Sequence, residues 1–343
     1  MKAAVLEKIN EPLVFKDVEK PVLEKGEVLV RLHAAALNHR DVWIQKGSYS
    51  NIKTPIIMGS DGAGVVVEGG EGVSDYWIGK EVIINPSHHW GDNPAHYGND
   101  FTILGLPDDG TFAEYIKVDL RYLAHKPAHL SFAQAACLPL AALTAWRALM
   151  TRGGFAPGNR ASNRRVLVTG AGGGVALFVI QFAVAAGAEV WVTSSSDHKI
   201  RKAINLGVKG GVNYKEPTWY RDLLVKAQAP KTGYFNTIID GAGGSGFARL
   251  IDVAAPGATL CFYGGTAGNI TDVVPAKVFF KQLNIHGTTM GTEAEFEEMI
   301  RFVEEKKLVP IVDEVFQLGN AEAALRHMDS GEQFGKIVLK IAD

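Results

Sequence analysis

Cysteine is scarce in this chain, and so is any excess of charge. Only Cys137 and Cys261 occur among 343 residues. Two widely separated thiols build neither a disulfide framework nor a Cys-rich zinc site, and such sparing use fits a reducing compartment. The formal net charge is −2, with Lys and Arg scattered. That removes the electrostatic reason to expect nucleic acid or a membrane surface as a partner. No apolar run reaches the roughly 20 residues that span a bilayer. The opening residues, MKAAVLEKINEPLVF, are broken by Lys, Glu and Asn too early for a signal h-region. A soluble, cytoplasmic protein with a small-molecule substrate is the expectation. Its length points to about two domains.

What is present changes character along the chain. Up to about residue 125, short β-branched runs are separated by Gly, Pro, Asn and Asp: Glu27–His33, Gly64–Glu68, Lys80–Asn85 and Phe112–Val118. Such spacing predicts a barrel-like or sandwich-like unit. The Asn85–Thr111 segment between them is a long irregular loop. Ser131 and Gln134 form a capping box ahead of an Ala/Leu-rich helix. Pro139 breaks that helix, and Leu140–Met150 reads as a second, closed by Gly153 and Gly154.

From Arg164 strand and helix alternate. Strands are expected at Val166–Thr169, Glu189–Thr193, Thr237–Asp240 and Ala258–Tyr263, with helices at Gly174–Ala186, Asp197–Leu206 and near Gly246–Ala255. This is the pattern of βαβ units around a doubly wound parallel sheet. Beyond Leu283 the chain is mixed, with helices at Glu293–Glu305 and Ala321–Met328 and a strand at Lys336–Ile341. The domains expected are 1–132, β-rich; 133–283, α/β; and 284–343, a tail that rejoins the first.

The strongest chemical signal is VLVTGAGGGVA, Val166–Ala176. A buried strand enters Gly170, Gly173 and Ala176 at three-residue spacing, and a helix follows. Glycines there permit a tight turn and close approach of backbone to a pyrophosphate, which the helix N-terminus then receives. A second strand follows, so the context supports a dinucleotide site. At the end of that strand an NAD site places an acid, for the ribose 2′-OH. Here stand Thr193, Ser194, Ser195 and Ser196, followed by Lys199, with Tyr214 ending the next strand. Hydroxyls, a cation and a phenol suit a 2′-phosphate, so NADPH is favoured over NADH. Against this, Ser194–Asp197 also reads as only a helix cap, with Asp197 a good N-cap that could turn back toward a 2′-OH.

On these and other residues the chain resembles the medium-chain dehydrogenase/reductase superfamily over essentially its whole length. The carriers are ALNHRD (Ala36–Asp41), KGSY (Lys46–Tyr49), GSDGAG (Gly59–Gly64), LPLAALTAW (Leu138–Trp146), VTGAGGGVAL (Val168–Leu177), SSSDHK (Ser194–Lys199) and FGKIVL (Phe334–Leu339). The resemblance implies a GroES-like catalytic domain, a Rossmann domain and a C-terminal return. It also implies a homodimer, with apolar segments Ile251–Tyr263 and Phe279–Thr289 at a shared sheet edge. The cofactor-binding set expected is Thr144, Gly170, Ala171, Gly172, Gly173, Gly174, Val175, Ser194, Ser195, Lys199, Tyr214, Gly241, Gly264 and Gly265.

Where zinc members of the superfamily carry their ligands, this chain has Asn38, Ser60 and Leu140, with Asp61 in place of a Glu. Asn, Ser and Leu do not make a Zn²⁺ site. The lobe that often holds a second, four-Cys zinc has no Cys here. His88, His89, His96, Asp92 and Asp100 lie in it, but adjacent His side chains in extended chain diverge. No metal is expected. The zinc-less branch, similar to quinone oxidoreductases, fits better. It implies that Asn38 and Tyr49 line the substrate site as catalytic residues and that Thr144 faces the nicotinamide. Asp41 reads as a turn residue and Cys137 as packing. The expected activity is hydride transfer from NADPH to a quinone or α,β-unsaturated carbonyl. The alternatives are an alcohol dehydrogenase-like enzyme and a non-catalytic NADPH-binding redox sensor. In this reading the Gly59–Gly64 stretch is a glycine turn, with Ser60 and Asp61 as scaffold beside the pocket.

Overall fold

The computed structural model describes residues 1–155 and 164–342. They form two units: Met1–Leu143 together with Gly291–Asp343, and Thr144–Met290. The sequence reading places these divisions at 132/133 and 283/284. Helix Phe132–Ala136 packs on strands Glu27–Ala36 and Asp61–Gly69 of the first unit, which holds the chain there beyond 132. Strand Asn284–Gly287 completes the sheet of the second unit, which carries that unit past 283.

The first unit is built on a seven-stranded sheet. Its order is Leu123–His125, Glu81–Ile84, Asp61–Gly69, Glu27–Ala36, Lys336–Lys340, Val312–Gln317, with Tyr115–Asp119 also pairing with Glu27–Ala36. All four strands expected near the N-terminus are present, with shifted ends. Phe112 stays outside its strand: its N–H donates to the Met58 carbonyl at 2.8 Å and its ring is wholly buried. Val28, Val30, Leu32, Val66, Val82, Ile84 and Ile116 form one core cluster, as strand alternation requires. Leu6, Leu37, Ile44, Met58, Phe112 and Leu325 belong to another. Strand Val312–Gln317 runs parallel to Lys336–Lys340, joined to it through helix Ala321–Ser330. No strand is expected there from the sequence, because most of its side chains are solvent-facing.

The Gly59–Gly64 stretch is not a turn throughout. Gly59 alone has turn geometry, at φ +99°, and a side chain there would fall 2.3 Å from the Phe112 ring. Gly62 and Gly64 lie inside strand Asp61–Gly69, where a Cβ on Gly64 would stand 2.1 Å from the Arg31 carbonyl oxygen. Gly64 thus allows backbone to pack on backbone, whereas Gly62 makes room for the Leu32 and Thr111 side chains, each 2.9 Å from where its Cβ would stand.

The second unit carries six parallel strands: β1 (Arg165–Val168), β2 (Glu189–Ser194), β3 (Gly210–Asn213), β4 (Phe235–Asp240), β5 (Ala254–Phe262) and β6 (Asn284–Gly287), in the order β3-β2-β1-β4-β5-β6. This is the doubly wound Rossmann order. Leu167, Trp191, Phe235, Ile238, Phe247 and Leu260 belong to its core. Strand order reverses between β1 and β4, so the crevice for a ligand opens at their carboxyl ends. Pro139 starts the second helix rather than interrupting it: helix Pro139–Trp146 begins at the proline, where its missing N–H has no consequence. The chain then widens into a π-helix over Arg147–Arg152 instead of continuing as α-helix to Met150.

Candidate active site

Strand Glu27–Ala36 ends just before Asn38, which caps helix His39–Gln45 in an extended conformation. The Asn38 N–H donates to Asp41 Oδ2 at 2.8 Å, so the acid three residues on satisfies a helix-end donor. The Asn38 side chain is held just as firmly. Its Nδ2 donates to Asp61 Oδ2 at 2.9 Å, and its Oδ1 accepts from Lys336 Nζ at 2.6 Å. Lysine has no acceptor, so this contact fixes which way the amide faces. Lys336 also donates to the Leu37 carbonyl at 2.6 Å and to Asp61 Oδ2 at 3.0 Å, using all three of its N–H bonds. Asp61 Oδ1 accepts the Leu140 N–H at 2.8 Å. Burial pushes the Asp61 carboxyl upward, while Lys336 and the Asn38 and Leu140 donors oppose that shift.

A second cation lies beside this network. Arg40 is buried, and its Nη1 donates to Ser60 Oγ at 2.6 Å and to the Leu104 carbonyl at 2.9 Å. Its guanidinium carbon stands 5.1 Å from the centre of the Tyr49 ring, within cation–π range. The Tyr49 hydroxyl and the second Asn38 amide N–H make no hydrogen bond among the described residues. Asp41 is wholly buried, and burial pushes its carboxyl up to about 6, against the opposing field of Arg40 and the Asn38 N–H.

The three positions where zinc members of the superfamily carry ligands do not fit Zn²⁺ here. Asn38 Oδ1 is taken by an ammonium, Ser60 Oγ by a guanidinium, and Leu140 offers only an apolar side chain. Cys137 is buried, donates to the Ala133 carbonyl, and has its thiol pushed up to about 12 by burial. In the Asn85–Thr111 lobe, the His88 and His89 rings stand nearly perpendicular, 6.2 Å apart. His88 stacks on Tyr122 at 3.9 Å, and burial brings its pKa down to about 4. Among the described residues no group of three His, Cys, Asp or Glu side chains could hold a metal.

The nucleotide turn follows β1. Gly170 has φ +67° and Gly172 φ +128°, left-handed values that favour glycine. A Cβ on Gly170 would meet nothing within 4 Å, so the turn presents bare backbone to open space. Helix Gly174–Ala185 begins after Gly173 with no side-chain cap, which leaves its first N–H groups, those of Gly174 and Val175 among them, for an anion. Ala171 N–H donates to the Thr193 carbonyl at 2.8 Å. Ser194 Oγ donates to the Ala171 carbonyl at 3.2 Å, bracing the turn against the end of β2. Across the reversal point, Thr169 Oγ1 donates to Asp240 Oδ1 at 2.5 Å and the Gly243 N–H to Asp240 Oδ2 at 2.8 Å. These residues fit a dinucleotide pyrophosphate.

The remaining expected cofactor residues have distinct surroundings. Ser196, not Asp197, is the N-cap of helix Asp197–Ile204, its Oγ accepting the Lys199 N–H. Ser195 is half-buried, and Tyr214 is exposed with its N–H on the Ser194 carbonyl. A Cβ on Gly241 would collide with Tyr263 and one on Gly264 with the Gly241 carbonyl, so two loops touch there. Gly265 is exposed. Thr144 is buried and its Oγ1 donates to Met290 Sδ at 3.8 Å. The sequence reading singles out neither Arg40 nor Lys336. Lys336 heads the strand KIVLK and Arg40 sits in the polar first turn of the helix HRDVWIQ, and neither setting marks a buried charge.

Known proteins resemble this chain in sequence and fold. Residues 24–128 match the alcohol dehydrogenase GroES-like domain and residues 174–305 the zinc-binding dehydrogenase family. A zinc-type alcohol dehydrogenase-like protein of Leptosphaeria maculans is 38% identical, across 96% of this chain and 95% of its own. A crystal structure of an NAD-dependent alcohol dehydrogenase superposes with a TM-score of 0.92 at 36% identity, covering 100% of both chains. An acryloyl-coenzyme A reductase of Sulfurisphaera tokodaii is 27% identical over 99% of this chain and 100% of its own. The fold and these likenesses thus define an NAD(P)-dependent oxidoreductase. The chain belongs to the medium-chain dehydrogenase/reductase superfamily. Among its described residues no helix is long and apolar enough to cross a membrane.

Proposed function

We propose that this enzyme uses NADPH to reduce the carbon–carbon double bond of an α,β-unsaturated carbonyl compound, without a metal. The observation that carries this is the pair of cations at the would-be ligand positions: Lys336 on Asn38 and Arg40 on Ser60. With no Lewis acid to polarise a plain carbonyl, the acceptor must itself be electrophilic. Conjugated enones are, and quinones form the neighbouring class. When bound, the nicotinamide supplies hydride.

The chain's own groups then hold and protonate. Lys336 draws electron density from Asn38 Oδ1, which strengthens the open amide N–H as a donor to the substrate oxygen. The unpartnered Tyr49 hydroxyl, or a water, returns the proton to the α-carbon. Orientation and hydrogen bonding supply most of the rate. NADPH rests on the absence of an acid at the end of β2 and on Ser195, Lys199 and Tyr214 nearby in sequence.

A second reading, oxidation of alcohols or reduction of aldehydes, draws on the names of the similar dehydrogenases. Initial rates with NADPH and NADH against enones, quinones and aldehydes, and with alcohols in reverse, separate the two. Enone turnover that survives dialysis against a chelator supports the proposal. Turnover confined to an alcohol–aldehyde pair, or lost with the chelator and restored by zinc, overturns it.

A further inference from the structure

Asp240 ends β4 and is almost wholly buried. Burial pushes its carboxyl upward, and what opposes that shift is hydrogen bonding, from Thr169 and from the Gly243 and Ala242 backbone. Oδ1 accepts the Thr169 hydroxyl at 2.5 Å and Oδ2 the Gly243 N–H at 2.8 Å. The Thr169 oxygen in turn accepts the Gly241 N–H at 3.3 Å. Thr169 immediately precedes Gly170, whose backbone lies open at the nucleotide turn. Gly241 and Gly243 lie in the loop after β4. That loop is pinned to the one after β5, for the Ala267 N–H donates to the Ala242 carbonyl at 2.8 Å and the Gly244 N–H to the Gly268 carbonyl at 2.9 Å. One carboxylate thus ties the ends of β1 and β4 at the reversal point where a ligand crevice opens.

Joining the two strands is the plain structural use of such a contact, and the strands are joined without it. Val166, Leu167 and Val168 already pair with Thr237, Ile238 and Ile239, and the Thr169 N–H donates to the Ile239 carbonyl at 3.0 Å. The side-chain bonds begin where that ladder stops. Burying a charge is costly, and what this one adds is a fixed geometry for the turns beyond the ladder. We propose that Asp240 is a positioning residue for the dinucleotide. Acting through Thr169 and Gly243, it fixes the turn after β1 against the loop after β4, so that the bare backbone of the turn is set for a pyrophosphate before the ligand arrives. Both of its oxygens are engaged and its charge would repel a pyrophosphate, so it acts through its neighbours and not on the ligand.

The test uses the full chain with Thr169→Val, Thr169→Ser, Asp240→Asn and Asp240→Ala, titrated calorimetrically with NADPH, NADH and ADP-ribose. ADP-ribose carries the pyrophosphate without the nicotinamide, so it reads the turn apart from any chemistry. Thr169→Val keeps the side-chain shape and removes the hydroxyl link. Its Kd for ADP-ribose and for the preferred dinucleotide rises about ten- to a hundredfold, the worth of one hydrogen bond to a charged group. Thr169→Ser binds as the wild type does. Asp240→Asn keeps one acceptor oxygen of two and falls between wild type and Asp240→Ala. In Thr169→Val, amide hydrogen exchange quickens at residues 170–175 and 241–246 and keeps its wild-type rate in β1 and β4. A wild-type Kd in Thr169→Val overturns the inference and leaves the dinucleotide site standing. So does a weaker Kd with faster exchange throughout β1 and β4, which marks a general loosening of the sheet. If Asp240→Ala does not fold, the two Thr169 variants decide. A wild type that binds none of the three ligands removes the dinucleotide site and the inference with it.

Discussion

Lys336 Nζ lies 3.0 Å from Asp61 Oδ2, with both side chains almost sealed from solvent and the two residues 275 positions apart in sequence. Neither charge has another counter-ion within salt-bridge reach among the described residues. Replacing Lys336 by Met leaves Asp61 buried and unpaired, and lowers stability by about 3–5 kcal/mol. Urea denaturation followed by tryptophan fluorescence reads this as a lower midpoint. The double variant Lys336→Met with Asp61→Asn loses less than the two single changes added together.

Asp41 makes stability depend on pH. Its carboxyl titrates at 3.8 in an unperturbed chain and at about 6 in the fold, because burial disfavours the charged form. The folded state therefore holds more protons between those values. The stabilisation is complete below about pH 4 and is lost as pH rises through about 6, a span of roughly 3 kcal/mol. Asp41→Asn removes that slope. Denaturation curves from pH 4 to 7 that fall equally in wild type and variant contradict the assignment.

Gly170→Ala separates binding from folding. The added methyl enters open space, so the stability cost is only the positive φ, about 1 kcal/mol. It stands where the pyrophosphate approaches, and NADPH affinity drops at least tenfold in a fluorescence titration.

Ser195→Asp supplies the acid missing from the end of β2. It repels a 2′-phosphate and offers an acceptor to a 2′-OH, so the ratio of kcat/KM for NADPH over NADH falls at least tenfold. An unchanged ratio places cofactor choice elsewhere.

Phe280 is 81% exposed and Phe279 61%, on helix Pro275–Lys281 just before β6. β6 ends the parallel sheet and is a ready template for a second copy. Phe280→Asp is expected to turn a homodimer into a monomer with its helical content intact, as read by light scattering and circular dichroism. A wild type that is monomeric at micromolar concentration contradicts the assembly.

The nucleotide turn is legible in sequence because everything it needs lies within about a dozen residues: apolar strand, glycines, helix. The GSDGAG stretch is legible only in part. Ser60 can be placed against a ligand pattern, but the reason for Gly59 is Phe112, a residue half a domain away in sequence. Lys336 and Arg40 stay hidden because a charge beside apolar residues, or in a polar helix turn, says nothing of whether it is buried or against what. Val312–Gln317 is a strand through its pairing with Lys336–Lys340, since its own side chains mostly face solvent. Local periodicity records what a segment does alone, and the polar cluster is made by segments that meet only in three dimensions.

That separation also imposes a timetable. The roughly 275 residues between Asp61 and Lys336 take about 15–55 s to translate at the usual 5–20 residues per second. Throughout that interval strand Glu27–Ala36 lacks its neighbour Lys336–Lys340, and Asp61 lacks its cation. The parallel-sheet unit, contiguous from Thr144 to Met290, is made in full before that. The contiguous middle unit is thus complete in sequence while the edge of strand Glu27–Ala36 still awaits the strand that pairs with it.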